Sequence, residues 1–181
     1  LGVIKYDGSF AEYLRTKAKN VYKVPPGVSA EEAALVEPLA TVLYAVRRTG
    51  INPGDNVVVF GDGPIGLLNA QLANCCGAAR VAVVARKEVH RKKIEGWGLH
   101  LINSANGDVP QQIEELFGSK ADVVFEDTGN PQVFEVAIES VLPGGRICAL
   151  TISGAKSIPV DMDYVATRDI TVLGVLASPN S

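Results

Sequence analysis

The stretch that decides the fold is NVVVFGDGPIG, residues 56–66. Residues 57–60 are β-branched or aromatic with no polar alternation, which is typical of a strand buried on both faces. Gly61, Gly63 and Gly66 then follow in G-x-G-x-x-G spacing. The first glycine of such a loop permits a tight turn, the second lets a diphosphate approach the backbone, and the third lets helix and strand pack closely. The stretch therefore predicts a strand, a nucleotide-binding loop and a helix.

The residues after the loop support this interpretation. Ile65, Leu68, Leu72 and Cys75 fall on one helical stripe, so the loop lies between a buried strand and an amphipathic helix. The N–H groups and positive dipole end of that helix would face a diphosphate, and Pro64 and Ile65 belong to the predicted site with the glycines. We expect Cys75 to pack beneath the helix. The alternative is an ordinary turn, because the glycine spacing alone is a weak signal.

Strand, turn and helix then repeat along the chain. Further strands are predicted at 81–85, 99–102, 121–126, 145–151 and 171–175, and helices near 88–96, 109–117 and 131–141. Asp108 is suited to cap the second of these helices and Gly118 to end it. Strands separated by helices imply right-handed crossovers. We therefore predict an α/β fold with a doubly wound parallel sheet, the Rossmann fold.

The N-terminal part has a different pattern. Residues 1–28 alternate short strand-like runs with turns, which is typical of the tail of a β-rich domain. Ser29 and Glu32 form a capping box, so a short helix is predicted to begin there. A second helix is predicted from about Pro38 to Thr49, because proline suits only the first turn of a helix. We expect the dinucleotide-binding domain to occupy residues 29–181.

Composition limits the partners. The chain has 181 residues with 17 Lys and Arg, 20 Asp and Glu, and a formal charge of −3, so no global basic field indicates nucleic acid. No apolar run approaches the roughly 18 residues of a membrane span, and no signal pattern is present, so no membrane partner is expected. Three cysteines, two of them adjacent, do not suggest a disulfide framework. We expect a reducing, cytoplasmic setting.

The stretch VAVVARKEVHRKK, residues 81–93, indicates which nucleotide the fold would bind. In an NAD-binding unit an Asp or Glu about 20 residues past the glycines bonds the adenosine ribose 2′-hydroxyl. Here Ala85 stands at that place and Arg86 follows it. A guanidinium without a neighbouring acid favours a 2′-phosphate, so we predict NADP(H) over NAD(H), with Arg91 or Lys87 in support. The alternative is a solvated helix start that happens to be basic.

Several stretches together resemble a known family. They are GSFAEY, EEAALVEPLATVLYAVRRTG, PGDNVVVFGDGPIGLLNAQLA, ADVVFEDTG and LPGGRICAL. In these the chain resembles the zinc-type medium-chain dehydrogenases/reductases of the alcohol dehydrogenase superfamily, in the branch with sorbitol and threonine dehydrogenases. The resemblance implies that residues 1–28 end a GroES-like catalytic domain, that this chain is a fragment of a longer one continuing past Ser181, and that the last strand pairs subunits in a homodimer or tetramer.

The resemblance also implies cofactors and further site residues. Members of this branch hold a catalytic zinc with ligands from a preceding domain, and Glu37 occupies the place of a further ligand or near neighbour. Thr41 would contact the nicotinamide, and Thr128 with Gly129 would line a ribose. The alternative for Glu37 is an acid at the positive end of a helix. The alternative for residues 128–131 is a plain strand-to-helix turn capped by Asn130.

Two classes of function remain open from the sequence. The first is an NADPH-dependent alcohol or polyol oxidoreductase that transfers hydride to or from an alcohol or ketone, with zinc in its complete form. The second is a nucleotide-binding module without catalysis. A zinc-free, quinone-reductase-like enzyme is a variant of the first, and Glu37 followed by Pro38 argues mildly against it. A methyltransferase is disfavoured because its nucleoside site also requires an acid where Ala85 stands.

Overall fold

The structure is a computed structural model that describes residues 8–155 and 157–177. The chain divides into two compact units, residues 1–35 and residues 36–181. The first unit contains a short 3-10 helix, Ala18–Asn20, and helix α1, Ala30–Ala34. The predicted capping box is present, because Ser29 Oγ accepts from the Glu32 N–H at 3.2 Å and the Ser29 N–H donates to Glu32 Oε2 at 2.8 Å.

Residues 8–28 contain no strand, unlike the strand-like runs predicted there. A strand requires a neighbouring strand for its backbone hydrogen bonds, and the described part of this segment pairs with none. Its large apolar side chains are open to solvent, since Phe10, Tyr13 and Tyr22 are 108%, 91% and 85% exposed. The assignment of residues 1–28 to a catalytic domain stays a prediction.

The second unit is built on a parallel six-stranded sheet. The strands are β1 Asn56–Phe60, β2 Arg80–Ala85, β3 His100–Asn103, β4 Ala121–Glu126, β5 Val141–Ala149 and β6 Thr171–Gly174. Their order is β3-β2-β1-β4-β5-β6, and every neighbouring pair is parallel. The direction of winding reverses between β1 and β4, which is where such sheets bind ligands. The predicted Rossmann fold is confirmed.

Helices cover both faces of this sheet. They are α2 Val36–Thr49, α3 Pro64–Cys75, α4 Arg91–Gly96, α5 Val109–Phe117, α6 Pro131–Glu139 and α7 Met162–Thr167. Helix α5 has the predicted bounds, with Asp108 as its N-cap and Gly118 in the left-handed conformation at its end. Helix α7 was not predicted, although Asp161 caps it by accepting from the Tyr164 N–H at 2.9 Å.

Two predicted bounds were wrong by three residues or more. Helix α4 begins at Arg91 rather than 88, and Glu88 instead belongs to the turn before it, in which its carbonyl accepts from the Arg91 N–H at 3.0 Å. Strand β5 begins four residues before the predicted 145, at Val141. The sequence Pro143-Gly144-Gly145 is typical of a turn, but here it lies within the strand. The pairing of β5 with β4 shifts register at this point, between the partners of Ala121 and Val123.

Helix α3 packs with a face of small residues. Gly66, Asn69, Ala70 and Ala73 are its buried positions, and small side chains let the helix approach the sheet closely. Ile65, Leu68 and Leu72 are only partly buried against the same core. Cys75 is exposed, so the expectation that it packs beneath the helix was wrong. Among the residues that the structure describes, no helix has the length and apolarity needed to cross a membrane.

Candidate functional site

A cleft of about 690 Å³ opens at the carboxyl ends of β1, β2 and β4. It lies where the winding of the sheet reverses, the position at which open α/β sheets bind ligands. Of the predicted site residues, the cleft brings together Gly61, Ala85, Arg86 and Thr128. The starts of two further helices also line it, through Asp108, Val109, Pro110, Asn130, Gln132 and Val133.

The glycine loop has the geometry that its spacing predicts. Gly61 has a φ of +117° and donates its N–H to the carbonyl of Val84 at 2.9 Å. A Cβ on Gly66 would lie 2.1 Å from the carbonyl oxygen of Gly61, so only glycine lets α3 start this close to β1. A Cβ on Gly63 would meet no atom within 4 Å. Gly61 and Gly66 are therefore required by the fold, whereas Gly63 faces open space.

The N-terminus of α3 has no side-chain cap. Gly63 occupies the N-cap position with extended backbone, and Pro64 is the first helical residue. The first N–H groups of any helix lack partners within the helix. At α3 no side chain supplies one, so the N–H groups and the positive dipole end are available to an anion. A diphosphate fits this end of the helix, because Gly63 has no side chain that would obstruct it.

The two helix starts that line the cleft are capped by their own residues. Asp108 Oδ1 accepts from the Gln111 N–H at 2.7 Å, and Asn130 Oδ1 accepts from the Gln132 N–H at 3.0 Å. Asn130 therefore caps α6, as in the alternative interpretation of residues 128–131, and the ribose contact of Thr128 and Gly129 stays a prediction. The glycine loop reaches the cleft through Gly61 and Asp62, just before α3, and α3 is the one of these three helices whose start no side chain caps.

The end of β2 presents a cation and no acid. Ala85 is buried, at 3% exposure, while Arg86 is exposed and lines the cleft. Within the described residues the Arg86 guanidinium makes no ion pair, since the salt bridges there involve other cations. A free guanidinium fork matches the geometry and charge of a phosphate group.

Arg91 lies in a different environment. Its guanidinium donates to Glu88 Oε1 at 2.8 Å and to Glu95 Oε1 at 2.8 Å, and its Nε donates to Glu88 Oε2 at 3.1 Å. The hydrogen bond from Arg91 is the main cause that lowers the pKa of Glu88 to about 2. Arg91 faces a separate hollow beside His100 rather than the cleft. The structure does not bring it together with Arg86, and its supporting role stays a prediction.

Thr128 and Gly129 form a turn around a buried acid. Glu126 is 2% exposed, and its carboxylate accepts from the Thr128 N–H at 2.8 Å, the Thr128 hydroxyl and the Gly129 N–H at 3.2 Å. Gly129 has a φ of +70°, and a Cβ there would lie 3.2 Å from Thr151 Oγ1. This hydrogen bonding holds Thr128 at the edge of the cleft.

A second acid, Asp127, lies behind the glycine loop. Its Oδ2 accepts from Asn69 Nδ2 of α3 at 3.0 Å. Burial of the carboxyl group, assisted by the neighbouring Glu126 charge, raises the pKa of Asp127 to about 7, although the bond from Asn69 acts in the opposite direction. Our sequence analysis missed both residues. The signal that could have found them is the pair of consecutive acids that ends a predicted buried strand.

A third acid, Asp62, belongs to the glycine loop itself. Its Oδ2 lies 2.9 Å from Nδ1 of His90, and both side chains are partly exposed. Neither Asp62 nor His90 was predicted to belong to the site. Because Asp62 already has this partner, its carboxylate is turned toward the imidazole at the mouth of the cleft.

The residues predicted for zinc and nicotinamide lie on α2, away from the cleft lining. Glu37 is exposed in the first turn of that helix, and Thr41 is half-buried. The position of Glu37 also suits the alternative role, an acid at the positive end of a helix. Zinc sites in proteins use three or four side-chain ligands. Within residues 8–155 and 157–177 no group of three His, Cys, Asp or Glu residues could hold a metal, so Glu37 alone does not make a zinc site.

Comparison with known proteins gives one consistent family. Residues 64–180 match the family model described as "Zinc-binding dehydrogenase". The chain is 36% identical over 179 residues to (R,R)-butanediol dehydrogenase from Bacillus subtilis, covering 97% of this chain and 51% of that protein. It is 29% identical over 177 residues to sorbitol dehydrogenase from the same organism, covering 97% of this chain and 50% of that protein. The chain thus spans about half the length of the curated relatives it matches.

A solved structure agrees in fold. A zinc-binding dehydrogenase from Sinorhizobium meliloti, bound to NADP, superposes with a TM-score of 0.82 at 28% identity, covering 87% of this chain and 48% of that chain.

Proposed function

Because the chain belongs to the zinc-binding dehydrogenase family, we propose that it is the dinucleotide-binding part of an NAD(P)-dependent alcohol or polyol oxidoreductase. The observation that carries the proposal is one cleft that brings the glycine loop, through Gly61 just before the uncapped start of α3, together with the free guanidinium of Arg86. NADP(H) has a diphosphate and a 2′-phosphate on either side of its adenosine ribose, and these two anionic groups match these two places.

The preferred cofactor in this proposal is NADP(H) rather than NAD(H). The diphosphate lies on the N–H groups at Gly63 to Gly66, and Arg86 binds the adenosine 2′-phosphate beside Ala85. Thr128 and Gly129 line a ribose, and Thr41 contacts the nicotinamide. A similar relative bound to NADP supports the choice. The absence of an acid at position 85 supports it as well, since a carboxylate there would repel a 2′-phosphate.

The complete protein, in this proposal, transfers hydride between NADP(H) and an alcohol or ketone in the cytoplasm. The names of the relatives suggest a polyol or vicinal diol as substrate. Residues 1–28 belong to the catalytic domain, and Glu37 contributes to a zinc site completed by residues outside the described ones. Zinc, when bound, supplies Lewis acidity toward the substrate oxygen. The exposed edge of β6 pairs subunits in a homodimer or tetramer.

Parallel titration with NADPH and NADH tests the cofactor assignment. We expect the wild type to prefer NADPH by roughly tenfold to over a hundredfold, because a charge-assisted contact contributes about 1.5–3 kcal/mol. The double variant Ala85→Asp with Arg86→Leu should reverse the preference. Arg91→Leu is the matched control, since its guanidinium is already bonded to Glu88 and Glu95, and it should leave the ratio nearly unchanged.

Two results would reject the assignment to NADP(H). One is a wild type that prefers NADH, and the other is a double variant with an unaltered ratio. Failure of both nucleotides to bind would reject the larger proposal that the cleft is a dinucleotide site.

A further inference from the structure

A buried polar pair joins α3 to the end of β4 beneath the glycine loop. Asn69 is 0% exposed and lies one turn after Gly66 on the buried face of α3. Its Nδ2 donates to Asp127 Oδ2 at 3.0 Å, and the Asp127 N–H donates to the carbonyl of Phe60, the last residue of β1, at 3.0 Å. The pair therefore links the helix whose start would bind the diphosphate to the strand end that leads to Thr128.

One oxygen on each side chain has no partner. Asn69 Oδ1 and Asp127 Oδ1 are both buried, and neither is hydrogen-bonded to any described residue. If Asp127 were ionised, both atoms would be acceptors without a donor, and each such buried atom is costly. A single proton on Asp127 Oδ1 would supply the missing donor. An amide and a carboxylic acid can then pair through two hydrogen bonds, Nδ2–H to Oδ2 and Oδ1–H to Oδ1.

We propose that Asp127, in its protonated form, pairs with Asn69 through two hydrogen bonds, and that this pair positions the start of α3 for the nucleotide diphosphate. The second half of this inference rests on the proposed function. Asp127 is thus a positioning residue, because it acts through α3 rather than by touching the cofactor.

The charges around the pair favour the neutral form. Glu126 precedes Asp127 on the same strand and is held by Thr128 and Gly129. From the neighbouring strand β5 the buried thiol of Cys148 faces the group, and its own pKa is raised mainly by burial. Arg48 of α2 acts on that thiol, and no cation bonds the Asp127 carboxyl among the described residues. Burial and the Glu126 charge raise the pKa of Asp127 to about 7.

Ionisation of Asp127 should weaken nucleotide binding in two ways. It removes the second hydrogen bond that holds α3 against β4, and it places a negative charge behind the loop that receives a diphosphate. By linkage, a nucleotide that binds the neutral form better also holds the proton on Asp127. We therefore expect NADPH affinity to fall by about tenfold as Asp127 ionises.

Carboxyl ¹³C NMR of aspartate-labelled protein, recorded from about pH 5 to about pH 9, tests the protonation state directly. The Asp127 signal is identified by its loss in Asp127→Asn, and we expect it to be that of a carboxylic acid at about pH 5 and to titrate far above the range of an ordinary aspartate. NADPH titrations over the same range should show the fall in affinity. Asp127→Asn should bind tightly and without this pH dependence, because two amides can form the same pair of hydrogen bonds.

Two control variants separate this role from a general effect on the fold. Asn69→Ala should bind NADPH more weakly throughout the pH range, since it removes both hydrogen bonds. Asp163→Asn, which changes an exposed acid of α7, should keep the wild-type pH profile.

Three outcomes would contradict the inference or its premise. An Asp127 signal that is ionised throughout would mean that a water molecule bridges the two oxygens, and the paired acid would be wrong. If the NADPH affinity of Asp127→Asn falls with rising pH as much as that of the wild type, Asp127 does not control the loop. Absence of NADPH binding at every pH would reject the proposed function, while the NMR titration would still decide the protonation state.

Discussion

Three helices begin at the carboxyl edge of the parallel sheet, and the residue at each N-cap gives them different tasks. Helices α3, α5 and α6 each have a proline in the first two positions. Asp108 and Asn130 close the starts of α5 and α6 with their own side-chain oxygens. Gly63 leaves the start of α3 open. A capped helix start therefore stabilises the fold, whereas an uncapped start beside a cleft can bind an anion.

The buried faces of the helices differ in the same sense. Helix α5 buries the apolar residues Val109, Ile113 and Phe117, while α3 buries the polar Asn69 among small residues. A buried amide with a carboxyl partner specifies one position of the helix, but it makes that position depend on protonation. The buried face of α3 thus contains a titratable contact, whereas the buried face of α5 is apolar.

The largest expected effect is the pH dependence of stability that Asp127 causes beneath α3. The native pKa of Asp127 is about 7 against an ordinary value of 3.8, so the native state binds more protons than the unfolded state between these values. The free energy of unfolding should therefore fall as pH rises from about 4 to about 7, by up to about 4 kcal/mol from this group. Urea unfolding at several pH values, compared with Asp127→Asn, isolates the contribution. Equal slopes in both proteins would contradict it.

The next effect tests the two glycines of the loop against each other. Gly66→Ala places a methyl group 2.1 Å from the Gly61 carbonyl oxygen, so we expect a loss of about 3 kcal/mol in stability and no measurable nucleotide binding. Gly63→Ala meets nothing within 4 Å, so stability should change by less than about 0.5 kcal/mol. NADPH should nevertheless bind Gly63→Ala about tenfold more weakly, because the methyl group points where the diphosphate lies. Unchanged NADPH affinity in Gly63→Ala would show that the diphosphate does not lie at Gly63.

A smaller effect is expected at the capped helix starts. Asp108→Ala removes the acceptor of the Gln111 N–H and should cost about 1 kcal/mol of unfolding free energy. Asn130→Ala should cost a similar amount. Both variants should retain most of their NADPH affinity in a binding titration, since their role is to close a helix. A loss of binding without a loss of stability would show that these caps also contact the nucleotide.

The smallest effect concerns α4, which also lacks a side-chain cap but has only six residues. Arg91→Leu removes two exposed ion pairs, with Glu88 and Glu95, and should lower the unfolding free energy only slightly, because water and salt screen exposed pairs. Thermal unfolding at low and high salt measures this contribution, which should shrink as salt rises. A change in cofactor preference would instead place Arg91 at the 2′-phosphate with Arg86.

Much of this fold was predictable because its signals are local. The strand 57–60, the glycine loop and the cap at Asp108 each depend on residues within about one helical turn of each other. The errors have non-local causes. Strand β5 extends back to Val141 because β4 supplies its hydrogen bonds, and Cys75 is exposed because α3 packs through its small residues instead.

The candidate site likewise has local features, which the sequence shows, and non-local features, which appear only in the folded chain. The sequence by itself determined that a glycine loop opens a helix behind a buried strand and that no acid ends β2, because chain neighbours alone decide these features. The tertiary structure decided that Arg86 faces the cleft while Arg91 is held by two glutamates, and that Asn69 meets Asp127 across 58 residues of chain. Charge and hydrogen-bond partners act over a few ångströms, so only folding determines which side chains become neighbours.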